Sequence, residues 1–213
     1  MEWLEPQYYV WSGVNVMVRR NPERRAALLD AAIEVLANEG ARGLTFRAVD
    51  QQAGVPVGTA SNYFSSRDEI LKHAGERVYE RLVDEGVIAD GLEGPRDRAR
   101  VTELMHALVD RVAAFPTGFL ALLELRLEAT RRPELQDVLT RRIRADVDFN
   151  VSYHEKSGLP GDGTMVVLLW LGLNWLIMER LTLPDLFTDE QRHDLVTALV
   201  ERLLAGQPAL PPA

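Results

Sequence analysis

The side chains best equipped for chemistry cluster between positions 45 and 72, and their types suit recognition more than reaction. Thr59, Ser61, Asn62 and Tyr63 put two hydroxyls, an amide and a phenol within five residues. Such groups exchange hydrogen bonds with base edges in a major groove, where Asn pairs with adenine and Ser or Thr accept either partner. Val57 and Gly58 lead into this run, Thr45 and Arg47 lie upstream, and Arg67 and Lys72 follow. Four more arginines, Arg19, Arg20, Arg24 and Arg25, precede it.

Two short helices joined by a tight turn would position these groups. Thr45 is a suitable N-cap, since its hydroxyl can accept a free amide of the first turn. Phe46, Val49 and Ala53 then share one face at helical spacing. Gly54 stops that helix by taking the left-handed conformation, and Pro56 keeps Val55 out of the helical region. A second helix over 57–63 gives Ala60 and Phe64 to the core and leaves Thr59, Ser61, Asn62 and Tyr63 without core duty. An αα-corner in an ordinary helical protein would show the same spacing, and the basic flanks separate the two readings.

The motifs Ala53-Gly54-Val55, Gly58-Thr59, Tyr63-Phe64 and Ser66-Arg67-Asp68-Glu69-Ile70-Leu71 resemble the signature of the TetR/AcrR family of transcriptional regulators over about residues 21–74. The chain departs from the commonest pattern at Asp50, where a small Ala is usual, and at Ser61-Asn62, which replaces a more aromatic pair. The resemblance implies that Tyr63 and Arg67 touch phosphates, with Thr45, Arg47 and Lys72 as flanking backbone contacts. Thr59, Ser61 and Asn62 remain for base edges. It also implies a one-component regulator, most often a repressor, whose fourth helix shifts when a small molecule binds the body.

The net charge of −8 runs against a DNA partner until it is divided. Residues 19–75 hold eight basic and seven acidic side chains, a balance of +1. The remaining sixteen basic and twenty-five acidic side chains put −9 elsewhere. Such a division orients the molecule on a polyanion and weakens indiscriminate binding. The 46% apolar content supports a real core, and the absence of cysteine excludes disulfides and thiolate metal sites and fits a cytoplasmic location. The four histidines are scattered without metal-ligand spacing. There is no phosphate-cradling glycine loop and no nucleophile elbow. The reading is therefore no enzyme, no cofactor and no metal.

The fold expected is all-α. A flexible arm over 1–18, with Met17 as an alternative start, precedes a three-helix helix–turn–helix domain over 19–66. A connecting helix over 67–90, a ligand-binding and dimerisation domain over 91–205, and a flexible tail over 206–213 complete it. Asn21 and Pro22 open the first helix and Gly40 ends it; Ser65 or Ser66 caps the fourth. Body helices are expected over 96–115, 117–130, 133–156, 164–181 (capped by Thr164) and 188–205 (capped by Thr188). The run 165–178 is apolar all round; it is too short to span a membrane and contains Asn174, so it should be buried on every side. That helix and the last one should pair with a second copy as a homodimer. Met105, His106, Phe115, Phe119, Phe149, Tyr153, Trp170 and Asn174 should line an apolar pocket for a small-molecule effector. Two other readings stand beside this one: a DNA-binding dimer whose solid body takes no ligand, and an all-helical enzyme. A cavity in the body separates the first two.

Overall fold

A computed structural model describes residues 21–82 and 94–205. The expected arm, the end of the connecting helix and the tail lie outside the described residues. What is described is entirely helical apart from turns and loops. In chain order the helices are α1 (Pro22–Gly43), α2 (Phe46–Gln52), α3 (Thr59–Tyr63), α4 (Arg67–Leu82), α5 (Arg98–Ala113), α6 (Pro116–Ala129), α7 (Pro133–Ser157), α8 (Gly163–Thr182) and α9 (Asp189–Ala205).

Local chemistry sets the ends. Asn21 Oδ1 accepts the amides of Glu23 and Arg24, with Pro22 at the first helical position of α1. Gly40, at φ 70°, breaks α1, and one further turn runs to Gly43. Thr45 caps α2 through the Ala48 amide. At the start of α4, Ser66 Oγ accepts the Glu69 amide while Glu69 accepts from the Ser65 amide and hydroxyl, a reciprocal cap. Those two bonds from Ser65, side chain first, hold the Glu69 carboxyl below its ordinary range. The cap of α8 is Asp162, not Thr164: its carboxylate accepts the Met165 amide at 2.8 Å. Thr188 caps α9 through the Gln191 amide, as expected.

One core runs through the head and into the body. Leu28, Ala32, Ile33 and Leu36 of α1, Val49 of α2, Phe64, and Ile70, Leu71, Ala74 and Val78 of α4 pack with Leu122 and Leu125 of α6 and Leu135 and Leu139 of α7. Two smaller clusters join α5, α8 and α9, one around Met165 and Val200, the other around Phe119 and Leu173.

Helix α8 departs from the expectation of burial on all sides. Met165, Leu169, Leu173 and Ile177 form its one buried stripe. Leu171 and Trp175 are 54% and 63% exposed, and Leu168 is also in the open. At 20 residues with a mean hydropathy of 1.4 it is also long and apolar enough to cross a membrane, contrary to the length argument. A single chain of this size covers one face of the helix and has nothing left for the other.

Candidate nucleic-acid interface

The exposed face of the α2–α3 unit is built from few residues. Val57 is 79% exposed at the turn before α3, and Thr45, Arg47, Ser61 and Asn62 are exposed around it. Two of the three candidate base readers spend their hydroxyl protons locally. Thr59 Oγ1 donates to the Pro56 carbonyl at 2.6 Å, and Ser61 Oγ donates to the Gly58 carbonyl at 2.9 Å. Their oxygens remain available as acceptors. Asn62, exposed on α3, keeps its amide carbonyl and NH2 free of partners within the protein.

Asp50 explains how five residues hold a helix. It is 1% exposed, and its carboxylate accepts the Gly58 amide at 2.7 Å and the Ala60 amide at 2.6 Å. A short helix leaves most of its N-terminal amides without intrahelical partners. Asp50 satisfies two of them from α2 and so locks α3 against α2. The departure from alanine at this position is thus a brace. Gly58, at φ 95°, supplies the left-handed turn that brings both amides to one carboxylate.

Three residues expected at or beside phosphates have partners within the protein. The Tyr63 ring is 7% exposed and packs in the head core, because it lies three residues after Ala60 on the same helix face. Arg67 spans the junction between α1 and α4. Its Nε donates to the Leu44 carbonyl at 3.0 Å, and its terminal nitrogen donates to the Ala41 carbonyl. It pairs with neither Asp68 nor Glu69. Lys72 is drawn to the body, where it pairs with Glu134.

The turn gripped by Arg67 is also held from the body. Glu124 of α6 accepts the Ala41 amide at 3.0 Å. A Cβ at Gly40 would lie 3.3 Å from that carboxylate, so the break in α1 makes room for it. Thr117 of α6 donates to Glu34 of α1 at 2.8 Å. On the α4 side, Arg77 and Arg81 both reach Asp30, and Arg132 reaches Asp68 and Glu128. The sequence reading missed Asp50, Glu34 and Glu124. An acid in a helical slot otherwise fit for alanine was the one visible signal.

The eight residues expected to line a body pocket fall into separate groups. Phe115 sits at the head–body junction under the Arg81 guanidinium, 3.8 Å from its ring centroid. Phe119 and Met105 fill the α5–α8–α9 core. Phe149 is 49% exposed and stacks on Tyr153. Trp170 Nε1 donates to Asp146, and Asn174 donates to the Trp170 carbonyl. His106 stacks on His193 at 3.9 Å and bonds to Thr197, so two of the scattered histidines meet across α5 and α9. Among the described residues no group of three or more His, Asp or Glu could hold a metal ion. A different space is present: an open cleft of about 500 Å³ between α6 and α7, floored by Ala129, Leu139, Ile143 and Val147 and flanked by Arg126 and Arg144. None of the eight lines it.

Residues 28–74, spanning the turn and both its helices, match the family model described as bacterial regulatory proteins, tetR family. Residues 96–206, over half the chain, match the tetracyclin repressor-like C-terminal domain. The chain belongs to the TetR family. The family is one of bacterial regulatory proteins, and the relatives that the chain resembles are named as helix–turn–helix transcription regulators. It is 30% identical over 134 residues to the HTH-type transcriptional regulator BetI of Rhizobium meliloti, covering 61% of this chain and 65% of that one. It is 28% identical over 132 residues to the HTH-type nicotine-responsive transcriptional repressor HdnoR of Paenarthrobacter nicotinovorans, covering 61% and 66%. The chain thus spans less than two thirds of the length of these relatives. Among solved structures, the multidrug binding protein EbrR complexed with ethidium superposes with a TM-score of 0.59 at 27% identity, over 84% of this chain and 99% of that one.

Proposed function

We propose that this chain is a ligand-responsive repressor that binds a pseudo-palindromic operator as a homodimer and is released by a small-molecule effector in the cytoplasm. The observation that carries the reading is the double grip on the 40–44 turn: Glu124 of the body and Arg67 of α4 hold opposite sides of the segment that leads into α2. Movement of α6 or α4 therefore reaches the α2–α3 unit, and an effector that favours one arrangement shifts the population between them. In this reading Asn62 and Val57 face base edges, with Gly58, Thr59 and Ser61 close to the duplex. Thr45 and Arg47 flank the backbone. Tyr63, Arg67 and Lys72 support the interface from behind.

The uncovered face of α8 supports the dimer. Leu168, Leu171 and Trp175, continued by Leu195 of α9, form an apolar surface fitted to an isologous contact. A two-fold pair would present two α3 helices to successive major grooves about 34 Å apart. The printed names of HdnoR, a nicotine-responsive repressor, and EbrR, held with ethidium, support a small-molecule effector. The dispersal of the eight expected lining residues favours the second reading, a DNA-binding dimer without effector. Selecting genomic fragments on the full chain and then screening compounds for their release separates the two: fragments that no compound releases leave the second.

A further inference from the structure

We infer that the cleft between α6 and α7 is a binding site for an aliphatic amphiphile with a single anionic head group. The inference rests on the ligand-responsive reading for its regulatory meaning and on the cleft itself for its chemistry. The apolar part of the lining is aliphatic, Ala129, Leu139, Ile143 and Val147, with Thr130, Gln136 and Thr140 as its uncharged polar groups. No aromatic ring lines it, so the stacking surface that planar or quaternary cations use is missing. No carboxylate lines it either, in a chain whose net charge is −8.

Arg126 and Arg144 stand on the two walls. Neither has an ion-pair partner among the described residues. Several other arginines nearby are engaged: Arg77 and Arg81 on Asp30, Arg132 on Glu128 and Asp68, and Arg142 over the Tyr79 ring. Two unpaired guanidiniums facing one aliphatic trough offer charge-assisted bonds to a carboxylate or similar anion while the chain lies along the floor. A volume of about 500 Å³ falls within the range of small-molecule sites. The position also has a consequence. Glu124 lies two residues before Arg126 on α6, so it faces away from the cleft, toward the Ala41 amide of the head. A ligand drawing α6 toward α7 would pull on that bond.

The test is calorimetric titration of the full chain with dodecanoate below its micellar concentration, with dodecyltrimethylammonium as the control. Dodecanoate is expected to bind and the cationic amphiphile not to. Shortening the chain by one methylene should weaken binding about threefold to fourfold. Arg126→Ala and Arg144→Ala are substitutions of exposed side chains, and each should weaken dodecanoate at least about tenfold with the melting temperature unchanged. Equal binding of both amphiphiles, or dodecanoate binding indifferent to both substitutions, overturns the site. If dodecanoate binds through these arginines yet fails to release selected DNA, the site stands and the effector role falls. If another compound releases the DNA while dodecanoate binding ignores the arginines, the site falls and the repressor reading stands.

Discussion

Three residues on and around α3 divide the work of recognition differently from their order in the sequence. Asn62 keeps a free amide beside an exposed valine, so Asn62→Ala should relax base preference at one position by on the order of 1–3 kcal/mol. Binding titrations against matched and single-mismatch sites measure it. Arg67→Ala should lower stability by about 1–3 kcal/mol, because the carbonyls of Ala41 and Leu44 lose their donor. It should leave the salt slope of DNA binding unchanged; a slope reduced by about one unit would return Arg67 to the phosphates. Asp50→Ala exposes the limit of sequence reading. As a letter it is a departure from a family pattern; as a carboxylate that accepts two amides it pins the start of α3 to α2. Nothing local in the sequence connects position 50 to positions 58 and 60, because the link runs through space.

At the scale of elements, most of the fold was legible. Proline at first helical turns, glycine at stops and apolar stripes located the helices of the described residues to within a few positions. Caps were less legible, since Asp162 and Thr164 are both good N-cap residues and only backbone geometry chooses between them. The pocket was not legible at all. Aromatic residues on helices that must pack are equally suited to a core, and here Phe119 became core while Phe115 became a junction. The coupling between α6 and α1 belongs to this scale. Glu124→Ala should accelerate hydrogen exchange at the Ala41 amide and weaken binding to selected DNA, while Glu124→Gln, which keeps an acceptor oxygen, should restore both. Exchange at Ala41 indifferent to both substitutions would remove Glu124 from the link.

The whole molecule adds symmetry and a pH response. The apolar character of α8 was plain in the sequence, but which stripe faces its own chain depends on α5 and α9 packing against it. Leu199 of α9 packs within the chain, against Gly172 of α8, where a side-chain Cβ would stand 2.7 Å from its Cδ2. The double variant Leu171→Glu with Trp175→Glu should therefore be a folded monomer by native mass spectrometry, with DNA binding lost. Burial, and then the facing His193 ring, holds His106 below the ordinary histidine range, and burial does the same to His154. Groups with depressed folded values favour folding above their unfolded pKa of about 6.5. That contribution is lost as pH falls through the lower folded values. Around His106 the relevant charges are Asp110 on its own helix and His193 across on α9. Melting temperature should fall on acidification from pH 7 to 5, and His106→Gln should flatten the fall.

The central claim is that two copies of α3, braced by Asp50 and paired through α8, read one inverted site. Incubating the full chain with sheared genomic DNA, recovering the bound fragments and sequencing them tests it most directly. The account predicts enrichment of a motif with inverted half-sites about one helical turn apart, with Asn62→Ala blurring the same position in both halves. Enrichment of a single unpaired half-site, or of no motif at all, would contradict it.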